Sequence, residues 1–118
     1  MKRLWLLLLA LLLLPALVQA QCPGITTALV PFQEEVVPVS TAIAMLTANL
    51  YKNATAASIT VRGGAVNFFF ILTPTPTSGH RMTTGVLYPV CGNESIKAFR
   101  AVRETTDATL AVTYFKPK

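Results

Sequence analysis

Between Ala65 and Thr73 the chain runs Ala-Val-Asn-Phe-Phe-Phe-Ile-Leu-Thr, an apolar stretch with almost no polar alternation. Aromatic and β-branched residues at this density favour a strand, in which successive side chains point to opposite faces. Phe68 and Phe70 then face one way and Phe69 and Ile71 the other, so both faces need cover. Two arrangements supply it: a sheet held between a helix and a partner layer, or a barrel wall around an apolar lumen.

The surrounding pattern extends this reading. After Ala57, β-branched and aromatic residues dominate between breaks at Gly63-Gly64, at Pro74 through Gly79, and at Cys91 through Glu94. Five strands are expected, over Ser58 to Arg62, Ala65 to Thr73, Arg81 to Val90, Ser95 to Arg103 and Thr109 to Phe115. Gly63-Gly64 reads as a hairpin turn, and Thr73 to Ser78 as a proline-stiffened loop. Upstream, Val39, Ile43, Leu46 and Leu50 recur at three- and four-residue spacing, which predicts a short amphipathic helix from about Ser40 to Lys52. Residues 21–38 carry three prolines and little periodicity, and read as an extended arm outside regular structure.

The N-terminus reads as a secretory leader over residues 1–20. Lys2 and Arg3 precede an unbroken apolar run from Leu4 to Leu14, then Pro15, and Val18-Gln19-Ala20 places small side chains where signal peptidase needs them. The run is about half of the roughly 20 apolar residues that cross a bilayer, which disfavours a membrane anchor. Cleavage leaves Gln21 to Lys118 as one domain. Without Lys2 and Arg3, eight of the ten basic residues remain against five acidic ones. That surplus is small and scattered, and argues against a nucleic-acid partner.

A domain of this size has a modest core, and covalent help is valuable. Cys22 and Cys91 are the only cysteines, and in an oxidising compartment an intramolecular bond between them is the default. Two sequons, Asn53-Ala54-Thr55 and Asn93-Glu94-Ser95, flank predicted breaks, so Asn53 and Asn93 are candidate glycan acceptors.

Catalytic chemistry finds little support. His80 is the only histidine, and no ligand cluster with metal spacing or cofactor motif accompanies it. A nucleophilic Cys91 beside His80 competes with the disulfide. Glu34 and Glu35 are adjacent and would diverge, while Glu94, Glu104 and Asp107 lie near predicted turns. No catalytic residue, metal site or cofactor is expected. The aromatic group Phe68, Phe69, Phe70, Tyr88, Phe99, Tyr114 and Phe115 reads first as core packing and second as a ligand lining.

Three segments together resemble the orosomucoid and apolipoprotein M branch of the lipocalins. They are Gln21-Cys22-Pro23, the run Ala65 to Phe70 on to Thr73-Pro74, and Tyr88-Pro89-Val90-Cys91-Gly92-Asn93-Glu94-Ser95. The resemblance implies a secreted carrier of a small apolar molecule of the lipid, retinoid or steroid class, with Val66, Phe68, Phe70 and Leu72 lining its cavity. The chain is short for an eight-stranded barrel, and the Gly-x-Trp signature is missing, since the only tryptophan is Trp5 in the leader.

The expected fold is therefore mainly β: an antiparallel sheet or partial lipocalin-like barrel with one short N-terminal helix. The alternative is an α+β fold, a helix packed on a four- to five-stranded antiparallel sheet. The expected function is secreted, non-catalytic ligand binding, with dimerisation closing an incomplete barrel. A secreted protein-interaction module, an inhibitor or immune effector, is the alternative.

Overall fold

A computed structural model describes Cys22 and residues 27–118; the expected leader, residues 1–20, lies outside the described residues. The fold is mainly β. Among the described residues eight strands are present: β1 (Leu29–Val39), β2 (Ala44–Met45), β3 (Ala56–Arg62), β4 (Val66–Phe69), β5 (His80–Met82), β6 (Leu87–Cys91), β7 (Arg100–Arg103) and β8 (Ala108–Pro117). Two short helices of the described residues, α1 (Ala48–Tyr51) and α2 (Asn93–Ala98), interrupt them.

The strands form two four-stranded sheets, ordered β1-β8-β3-β6 and β2-β7-β4-β5, and neither closes into a barrel. Every pairing between named strands is antiparallel. The chain passes repeatedly from one sheet to the other, and only β4 and β5 are consecutive strands that pair.

Register fixes the inner faces. In the first sheet Val37, Leu110 and Val61 lie in one cross-strand row, and Ile59 with Val112 in the next. In the second, Val66 lies opposite Met82, and Phe68 opposite Ala101. Apart from the half-buried Phe68, which packs against it, these residues share one buried cluster with Ile96, Phe99 and Tyr114, so the two inner faces pack on each other. Each large side chain fully withdrawn from water contributes about 1.5–3 kcal/mol, which makes this cluster the main source of stability.

The Cys22–Cys91 disulfide forms, with Cα atoms 5.3 Å apart across 69 residues of sequence. It ties the N-terminal segment to the end of β6 and packs with Leu29, Ala56 and Phe115 in a second small cluster.

Five local expectations differ from the structure. The supposed arm becomes, from Leu29 on, the eleven-residue edge strand β1. Pro31 and Pro38 masked it in the sequence, yet an edge strand pairs on one side only and tolerates residues without an N–H.

The predicted helix over 40–52 shrinks to the four residues of α1, because Ala44 and Met45 pair with Ala101 and Arg100 of β7. Tertiary pairing overrides the local spacing there. Gly63-Gly64 is no hairpin: it turns the chain from β3 in the first sheet to β4 in the second. Gly63 has φ +88°, and a Cβ there would lie 3.2 Å from the Asp107 carbonyl oxygen.

The expected strand 95–103 splits into α2 and β7, and the expected strand 81–90 into β5 and β6. At the second break the Gly85 N–H donates to the Val61 carbonyl, steering the chain back to the first sheet.

The sheet edges are blunted. β1 carries Pro31 and Pro38, β6 carries Pro89, and β2 and β5 are two and three residues long. Such edges offer strand-to-strand dimerisation little purchase.

Candidate functional site

Strand β4 ends at Phe69, and Phe70 to Gly79 form the loop that returns to β5. Alternation therefore stops two residues after Asn67, and the four expected lining residues do not share a face. Val66 is fully buried between the sheets, Phe68 and Phe70 are half-buried, and Leu72 is exposed on the loop.

Phe68 is the hub of an aromatic group. Its ring stacks on Phe99 at 5.5 Å between centroids, and meets Phe70 at 5.7 Å, His80 at 5.4 Å and Tyr88 at 6.5 Å. Phe70 also contacts Phe99 at 6.1 Å, and Phe69 meets His80 edge-on at 5.4 Å. Such ring pairs contribute about 0.5–1.5 kcal/mol beyond burial, so they anchor the base of the loop.

The far side of the loop is pinned to the outer face of the second sheet. Asn67, itself buried, donates from Nδ2 to the carbonyl oxygens of Thr75 and Pro76 at 3.2 and 2.9 Å. Gly79 closes the loop with φ +143°, and a Cβ there would lie 3.0 Å from the Asn67 Cβ. Between these anchors the tip is left in water: Ile71 is 88% and Leu72 62% exposed. Phe69, Phe70, Ile71, Leu72 and His80 line an open groove of about 350 Å³. It is a surface feature, not a lumen.

His80 stands at the exposed start of β5, against the Phe68 and Phe69 rings. Among the described residues no group of three His, Cys, Asp or Glu side chains gathers that could hold a metal. No described helix is long and apolar enough to cross a membrane. Arg81 pairs with Glu104 at 2.7 Å and Arg103 with Asp107 at 2.6 Å, so these charges compensate each other at the surface.

A polar centre that the sequence reading missed lies at the rim of the core. Glu35 accepts a 2.5 Å hydrogen bond from the Tyr114 hydroxyl, and further bonds from the Thr47 hydroxyl at 2.7 Å and the Thr47 N–H at 3.2 Å. Burial, and then the bond to the Glu35 carboxylate, push the Tyr114 hydroxyl well above the ordinary tyrosine range. A carboxylate accepting from a tyrosine that stays protonated is a tether between β1, β8 and the start of α1. One signal was readable: Glu35, Val37 and Val39 alternate on one strand face.

The two sequons meet in space. Asn53 is exposed on the turn after α1, whereas Asn93, the first residue of α2, is half-buried. Its Nδ2 donates to the carbonyl oxygens of Tyr51 and Ala54, both at 3.0 Å.

No family model, curated protein or solved structure matches the chain.

Proposed function

We propose that the protein is a secreted, glycosylated, non-catalytic recognition module whose contact surface is the loop Phe69 to Leu72. The observation that carries this reading is the exposure of Ile71 and Leu72 on a loop whose base is fixed by the Phe68 aromatic group. Large apolar side chains held in water on a rigid support are a contact surface for an apolar partner. Export is supported by the leader pattern and by the disulfide, which persists in oxidising compartments.

The test is chemical crosslinking in the host's extracellular fluid with the wild-type protein and an Ile71→Ser/Leu72→Ser double variant. A stoichiometric partner that is lost with the double variant supports the module. The same captured proteins with both forms would remove the loop as the contact surface.

The carrier reading implied by the lipocalin resemblance stands as a second proposal, favoured by the apolar groove of about 350 Å³ beside Phe69 and Phe70. That volume is within the range of small-molecule sites, although such sites ordinarily enclose most of their ligand. Saturable binding of an environment-sensitive apolar dye, displaced by a fatty acid or retinoid, supports the carrier. Failure to bind the dye removes it.

A further inference from the structure

We propose that Asn53 is the acceptor of the N-linked glycan and that the fold withholds Asn93 from modification. This rests on the secreted-glycoprotein reading above. Both sequons converge on the turn Tyr51 to Ala54, but the structure treats their amides differently. Asn53 is exposed on that turn, ahead of β3, in the surface-loop setting that an acceptor sequon requires. Asn93 begins α2, so Asn93-Glu94-Ser95 is wound into a helix.

The hydrogen-bond count is decisive. An asparagine amide nitrogen carries two hydrogens, and Asn93 spends both on the Tyr51 and Ala54 carbonyl oxygens. In N-glycosylation the side-chain nitrogen bonds to the anomeric carbon of a lipid-pyrophosphate-linked oligosaccharide. The lipid pyrophosphate leaves, and the nitrogen gives up one proton. Asn53 can make that exchange without disturbing a described contact. At Asn93 the exchange removes one of the two donors that tie the turn to α2, and places a bulky sugar where the two segments meet. α2 is further anchored by fully buried Ile96 and by the Cys22–Cys91 bond two residues before Asn93. Closure of that bond and docking of α2 therefore gate the second sequon. A glycan on Asn93 marks a chain that was modified before it folded.

The test expresses the full chain in eukaryotic cells with its own leader and, in parallel, with a strong foreign leader. Occupancy is read by enzymatic deglycosylation in heavy-oxygen water followed by mass spectrometry. The secreted wild type should carry one glycan, on Asn53. Asn53→Gln should carry none, and Asn93→Gln should keep the single glycan. The Cys22→Ser/Cys91→Ser chain, which lacks the gate, should gain occupancy at Asn93 in the intracellular pool. An occupied Asn93 in disulfide-closed secreted protein overturns the proposal. So does an Asn93 that stays empty in the disulfide-free chain, because sequence context rather than the fold would then protect it. A glycan on Asn53 with the foreign leader alone refutes native export while leaving the site assignment standing; no glycan with either leader overturns it.

Discussion

Replacing Tyr114 by phenylalanine removes a single hydroxyl from the rim of the core, and its cost should depend on pH in a direction that the structure dictates. Tyr114 is fully buried, and its hydroxyl donates to Glu35 at 2.5 Å. A hydrogen bond to a charged acceptor contributes about 1.5–3 kcal/mol. Glu35 is only half-buried and keeps two bonds from Thr47, so a loss of about 1–2 kcal/mol near pH 7 is expected for Tyr114→Phe.

The folded-state pKa of Tyr114 is raised, so its contribution is fully present below the unfolded tyrosine value of about 10. It is lost as pH climbs beyond that value, because the unfolded chain releases a proton that the folded chain retains. The slope approaches about 1.4 kcal/mol per pH unit. At pH 11 this amounts to about 1.4 kcal/mol, and the two proteins should be nearly equal in stability. Guanidinium unfolding followed by circular dichroism at pH 7, 9, 10 and 11 measures the difference directly. A gap between wild type and Tyr114→Phe that stays constant from pH 8 to 11 would refute the picture of a buried, protonated tyrosine held by Glu35.

Three other outcomes follow from named contacts. Cys22→Ser/Cys91→Ser should lose about 4 kcal/mol by the loop-entropy estimate for a closure of 69 residues, read as a lowered thermal midpoint under non-reducing conditions. Gly79→Ala should cost about 1–3 kcal/mol, since alanine must adopt φ +143° with its Cβ 3.0 Å from that of Asn67; a neutral result in a denaturant melt would contradict the loop geometry. Ile71→Ser/Leu72→Ser should leave stability within about 0.5 kcal/mol of wild type, because both side chains are already in water, and a drop above about 2 kcal/mol would show that the loop packs elsewhere.

Much of the candidate site was legible as composition but not as geometry. The run Phe68 to Leu72 announced an apolar feature, and the strand pattern after Ala57 announced sheets. Equal alternation through Leu72 did not survive, because the strand ends at Phe69 and the Asn67 side chain pulls the loop back over the sheet. The Glu35 centre is poorly legible in the sequence, because residues 21–38 carry three prolines and little periodicity. Pro31 and Pro38 read locally as breakers, and only their position on an edge explains why eleven residues still form β1. The sequons were visible as motifs, yet nothing in a three-residue pattern shows that Asn93 bonds a turn some forty residues earlier.

The amino-acid sequence by itself determined the strand-rich character, through β-branched and aromatic segments cut by Gly and Pro. Its two cysteines offered a single intramolecular pairing, Cys22 with Cys91, and the folded chain makes it. Tertiary structure alone decided the partners of each strand. Successive strands lie mostly in opposite sheets, so the pairings β1 with β8, β2 with β7 and β3 with β6 span long stretches of sequence. Local propensity reports the backbone state of a segment; which neighbour satisfies its hydrogen bonds depends on how the apolar faces of the whole chain are buried together.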